Sequence, residues 1–112
     1  MKRIIYNIKN ERGNNVANQF LTIEGTDYIF TSYQTTIAIL KAGSGVMLLN
    51  KSVFDYSRTT TRHFLNYLEN TLTAEKPTRK QFEKWIDNGY IPANENCYNT
   101  DIDIRLVNEE EF

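Results

Sequence analysis

Residues 46–72, VMLLNKSVFDYSRTTTRHFLNYLENTL, contain the change of rhythm on which the fold turns. VMLL reads as a short strand, whereas Phe64, Leu65, Leu68 and Leu72 recur at helical spacing and share one stripe. A strand region therefore gives way to a helix inside this stretch. The junction, FDYSRTTTRHF at residues 54–64, holds an acid, two arginines, four hydroxyl residues besides Tyr56, and the sole histidine. Ser57 or Thr59 can cap the helix, because a hydroxyl there accepts from the free amides of the first turn.

Upstream, KRIIYNIK is apolar enough for a short strand, and NERGNN behind it has the glycine and asparagines that tight turns require. NQFLTIEG places Leu21 and Ile23 opposite Phe20 and reads as a strand ending at Gly25. DYIFTSYQTTIAIL is dense in β-branched and aromatic residues and makes two strands or one bent strand. KAGSG then links TIAIL to VMLL as a hairpin.

Downstream, the first helix should end near Leu72, at TAEKP. Thr78 and Gln81 form a T-x-x-Q capping box that opens a second helix, RKQFEKWID, with Phe82, Trp85 and Ile86 on one face. Gly89 stands where a left-handed C-cap belongs. YIPANENCYN reads as loop. DIDIRLV alternates strictly, Ile102, Ile104 and Leu106 against Asp101, Asp103 and Arg105, and NEEEF should fray. The expected fold is α+β, an antiparallel sheet of about five strands with two helices packed on one face. It spans residues 1–112 as a single domain: 1–57 mainly β, 58–89 a helical pair, and 90–112 loop, strand and acidic tail.

Composition narrows the function classes. Cys97 is the only cysteine of 112 residues, so neither an intrachain disulfide nor a Cys-based zinc site can form, as suits a reducing cytoplasm. No stretch approaches the ~18 apolar residues of a membrane span. The net charge of −1 hides an asymmetry: residues 1–57 carry +2, residues 58–84 +3 and residues 85–112 −6. An acidic quarter argues against wrapping nucleic acid over the whole surface and suits a basic protein partner.

No catalytic constellation is visible. His63 has no orienting partner or nucleophile within a recognisable motif, and Cys97 belongs to no visible Cys-His pattern. Asp101 and Asp103 lack a calcium loop, and AGSG lacks the lysine of a phosphate loop. The expectation is a non-enzyme without cofactor or metal.

Two binding constellations remain. Asp101, Asp103, Glu109, Glu110 and Glu111, with Tyr90 and Tyr98 as anchors, suit a protein partner, specifically a basic nucleic-acid-binding enzyme. Alternatively, Ser57, Arg58 and Arg62 at the start of the first helix, with Thr61 beside them, suit an anion. Arg79, Lys80, Gln81 and Lys84 would extend that basic surface in a helix-turn-helix arrangement facing DNA. The oligomeric state is not readable.

FTSYQTTIAIL at residues 30–40 and FDYSRTTTRHFLNYL at residues 54–68 carry a pattern, SY-x-T-x-IA followed by DYS-x-TT. In this the chain resembles a group of small uncharacterised proteins encoded by bacteriophages and conjugative elements, over residues 28–68. The resemblance implies an origin on a mobile element and no catalytic residues. The expected function is stoichiometric binding to a host protein in the bacterial cytoplasm, with a defence nuclease as the candidate target, in the manner of an anti-CRISPR protein. The alternative is a DNA-binding regulatory or accessory protein using the basic helices at 58–84.

Overall fold

The computed structural model describes residues 3–10, 12–52 and 58–112, without the side chains of residues 58–60 and 109. The Phe54–Ser57 part of the junction, and the side chain of Thr59 as the alternative cap, lie outside the described residues. Strands β1 (Arg3–Lys9), β2 (Asn15–Glu24), β3 (Asp27–Ser32), β4 (Thr35–Lys41) and β5 (Val46–Asn50) form an antiparallel meander. Tyr33, at φ +57°, turns β3 into β4, so residues 28–40 make two strands. Between Lys41 and Val46 the glycine link closes with Ser44 and Gly45 amides donating to the Lys41 carbonyl, both at 3.0 Å.

Helices α1 (Arg58–Thr71) and α2 (Arg79–Asn88) follow. The expected stripe is the buried one: Phe64, Leu65, Leu68 and Leu72 all face the core, joined by Tyr67. Phe64 and Tyr67 lie over Phe30 of β3, with ring centroids 6.3 and 5.3 Å away, and Phe82 of α2 reaches Phe64 at 4.9 Å. Both helices therefore sit on the same sheet face. Thr78 accepts from the Gln81 amide at 3.1 Å while the Gln81 side chain accepts from the Thr78 amide at 2.9 Å, so the capping box is complete.

Gly89 closes α2 at φ +83°, its amide donating to the Trp85 and Ile86 carbonyls. No described residue stands within 4 Å of where a Cβ would project. Gly89→Ala is therefore expected to cost the left-handed backbone penalty alone, about 1–2 kcal/mol, read as a lower midpoint in urea with an unchanged slope.

The sheet differs from the expected five antiparallel strands. It has seven, in the order β1-β2-β3-β4-β5-β7-β6, and is mixed. After the helices the chain forms β6 (Tyr90–Ile91) and β7 (Ile102–Val107), and β7 runs parallel to β5. A parallel neighbour requires a long crossover, and the helical pair supplies it. Antiparallel pairing survives on the far side, with Tyr90 opposite Asp103 and Ile91 opposite Ile102.

The loop between β6 and β7 is tied by Asn96, whose amide donates to the Ile91, Pro92 and Thr100 carbonyls at 3.2, 2.9 and 2.9 Å. Burial along β7 is graded, unlike the expected uniform face: Ile102 is buried, Ile104 half-buried and Leu106 48% exposed. Leu106 lines a hollow of about 260 Å³ beside Phe82 and Ile86, where the helix pair falls short of the strand end. The NEEEF end forms a 3-10 turn at Glu109–Glu111, because Asn108 accepts from the Glu111 amide at 2.9 Å and donates to its carboxylate at 3.0 Å. No helix among the described residues is long and apolar enough to cross a membrane.

Candidate functional site

Because both helices occupy one face, the pleat leaves the alternate residues of every strand on the other. The pairing register aligns Ile5, Thr22, Ile29, Ile39, Leu48 and Arg105 as one row across six strands. Ile5 is 61% exposed and Thr22, Ile29, Ile39 and Leu48 are half-buried. The adjacent row carries charge: Arg3 pairs with Glu24 at 2.7 Å, Lys41 with Asp27 at 3.5 Å, and Asp103 stands beside Tyr90. Surface pairs of this kind contribute at most about 1 kcal/mol each. They border an apolar surface without covering it.

The carboxylates grouped by sequence do not gather into one patch. Asp101 precedes β7, and Glu110 and Glu111 follow it, so a six-residue strand, roughly 20 Å long, lies between them. Asp101 is also committed internally, accepting from the Ala93 amide at 2.9 Å. Asp103 is exposed on β7, and the side chain of Glu109 is not described. Tyr90 is 38% exposed. Tyr98 instead packs against the core, its hydroxyl donating to the Thr71 carbonyl at 3.4 Å, and burial raises its pKa. It is a structural tyrosine.

The basic residues also separate. Ser57 lies outside the described residues, as does the Arg58 side chain. On α2, Lys80 and Lys84 are exposed, Arg79 is held by Glu83 at 3.1 Å, and Gln81 is consumed by the capping box. Phe82 and Trp85 anchor that helix in the core, and Trp85 Nε1 donates to Glu95 at 2.6 Å. Thr61 is buried, so it does not share the exposed side of α1 with Arg62.

Arg62 and His63 instead form one wall of a polar cleft of about 430 Å³, together with Asn66. The opposite wall is the β1–β2 hairpin, including Arg12 and Asn15. Asn10 shapes that hairpin, its side-chain oxygen accepting from the Arg12 and Asn14 amides at 2.9 and 3.0 Å. A register irregularity beyond Asn7, with Asn18 at φ +62°, brings Val16 and Ala17 to the cleft floor. Asn66 is only 2% exposed, and among the described residues neither its side-chain oxygen nor His63 Nδ1 has a hydrogen-bond partner. Burial, then the nearby charges of Arg62 and Lys76, lower the His63 pKa, so the imidazole is neutral at pH 7. Sequence reasoning finds Arg62 and His63 but misses Arg12, Asn15 and Asn66. The Arg-Gly-Asn-Asn turn is the local sign of Arg12 and Asn15, and Asn66 has none.

Residues 4–84 match the profile of a protein family described as a family of unknown function (DUF8033). The chain belongs to that family. The match takes in the polar cleft and strands β1–β5 and stops within α2, before β6 and β7. No curated protein and no solved structure matches the chain.

Proposed function

We propose that this family member acts without catalysis, by stoichiometric binding of a protein partner to the helix-free face of its sheet. The observation that carries this reading is the Ile5–Thr22–Ile29–Ile39–Leu48 row, an apolar surface with a charged border and no helix on it. An exposed contiguous apolar surface rimmed by polar groups is the usual physical mark of an interaction site. The resemblance of the SY-x-T-x-IA and DYS-x-TT pattern to proteins of phages and conjugative elements is the ground for proposing a bacterial host protein as the partner, and a defence nuclease as the specific target. Asp103 and Tyr90, which border the same face, provide charge and an aromatic anchor toward a basic enzyme.

The test compares capture from a host lysate by the intact chain, by Ile39→Asp, and by a variant with Asp101, Asp103, Glu109, Glu110 and Glu111 neutralised. The captured enzyme is then assayed for loss of nuclease activity at equimolar chain. Ile39 is half-buried on the free face, so the aspartate is expected to leave the fold intact, as circular dichroism will show. Loss of capture and of inhibition by Ile39→Asp supports the proposal. Equal capture by Ile39→Asp, or a dimer of the chain alone that Ile39→Asp dissociates, overturns it.

A further inference from the structure

We propose that the cleft between the β1–β2 hairpin and α1 binds a small phosphate monoester that also carries hydroxyl groups. The cleft lies on the helix-bearing side of the structure, against α1, and the inference is independent of the protein-binding reading.

Three properties of the lining lead there. Arg12 and Arg62 bring two guanidinium groups to one concavity, and neither makes an ion pair with a described residue. Guanidinium groups present planar donor pairs that fit phosphate or carboxylate oxygens. A phosphate monoester carries a charge near −2 at neutral pH and so matches two cations, whereas a single carboxylate matches one.

The second property is a pair of polar atoms without partners. Among the described residues nothing hydrogen-bonds the buried Asn66 oxygen, and His63 Nδ1, on the same cleft, is equally unpaired. A buried acceptor without a donor costs the fold roughly 1–3 kcal/mol, a penalty that a ligand hydroxyl at that point would remove. The anionic end of the ligand therefore belongs at the arginines and its hydroxyls at Asn66 and His63.

The third is scale and polarity. At about 430 Å³ the cleft falls within the range of small-molecule sites. Among the described residues its walls are asparagine, arginine and histidine, with Val16 and Ala17 the apolar members, which suits a sugar-like body better than an aromatic one.

His63 is the only histidine in the chain, so its imidazole resonances are a single unambiguous reporter inside the site. The experiment titrates the intact protein with ribose 5-phosphate, and in parallel with inorganic phosphate, ribose and malonate. NMR of His63 is the readout, and calorimetry gives the affinity. Ribose 5-phosphate is expected to saturate, to shift the His63 resonances and to bind more tightly than inorganic phosphate. Ribose alone is expected to leave the resonances unmoved.

Arg12→Gln, on an exposed turn remote from the core, and Arg62→Gln are each expected to weaken ribose 5-phosphate at least about tenfold. Asn66→Leu is expected to remove the preference for ribose 5-phosphate over inorganic phosphate. Absence of a saturable His63 shift in the millimolar range overturns the proposal, as does unchanged affinity in both arginine variants. Tighter binding of malonate overturns the phosphate assignment. Tighter, steeply salt-dependent binding of a 5′-phosphorylated oligonucleotide overturns the small-ligand assignment.

Discussion

Phe64→Ala is expected to remove about 3–5 kcal/mol of stability, a large share of the roughly 5–15 kcal/mol that holds an ordinary domain together. The ring is fully buried and lies where three layers meet: Phe30 of the sheet, Tyr67 one turn along α1, and Phe82 of α2, with centroids at 6.3, 5.7 and 4.9 Å. Deleting it opens a cavity that the sheet cannot collapse into, because Phe30 is held by strand pairing on both sides. Urea unfolding followed by tryptophan fluorescence measures the loss. A change below about 1 kcal/mol would mean that the helices dock on the sheet by other contacts.

Tyr67→Phe is the second large expected effect and has an unusual pH signature. The hydroxyl of this fully buried ring donates to the Tyr28 carbonyl of β3 at 2.5 Å, tying α1 to the sheet. Removing it leaves a buried carbonyl without this donor and is expected to cost about 1–3 kcal/mol. Burial above all raises the Tyr67 pKa far above the 10.0 that is ordinary for a tyrosine. In the unfolded chain the phenol loses its proton near that ordinary value, while in the fold it keeps it. The stability this proton confers is therefore fully present below about pH 10 and falls as pH rises through and above that value. The wild type should lose stability in this alkaline range more steeply than Tyr67→Phe, as paired urea titrations at neutral and alkaline pH will show. Parallel loss in both proteins would mean that Tyr67 ionises within the fold.

What the sequence reveals follows the range of the signal. The α2 helix is legible from end to end because its capping box and Gly89 are local, and both are realised in hydrogen bonds. The α1 stripe is legible for its aliphatic positions and Phe64. Tyr67 escapes that reading because a tyrosine looks amphipathic until its hydroxyl has a partner.

Strand β6 is two residues long and cannot express a period. Strand β7 announces itself by alternation, but alternation carries no direction, so a parallel neighbour reads the same as an antiparallel one. The acidic residues illustrate the limit of nearness in sequence: Asp101 and the Glu110–Glu111 pair lie within ten residues, yet an extended strand holds them apart in space. The cleft is half legible. Arg62 and His63 stand out by composition, but their partner wall is a hairpin about fifty residues earlier, which only the packing of β1 against α1 brings near.

The placement of β7 between β5 and β6 also has a kinetic consequence. The meander of β1–β5 is built from neighbours in the chain and can assemble as soon as residue 50 has been made. Its outer edge is then β5, whose side away from β4 stays unpaired until the parallel partner some fifty residues later is available. Closure of so long a loop costs more chain entropy than the hairpins do, so this pairing is expected to form last. During synthesis an open, apolar strand edge is the point at which two nascent chains could join by mistake. The crossover helices reduce that hazard: packed beside the meander, they hold the returning strand close enough for its own edge to be the nearest one.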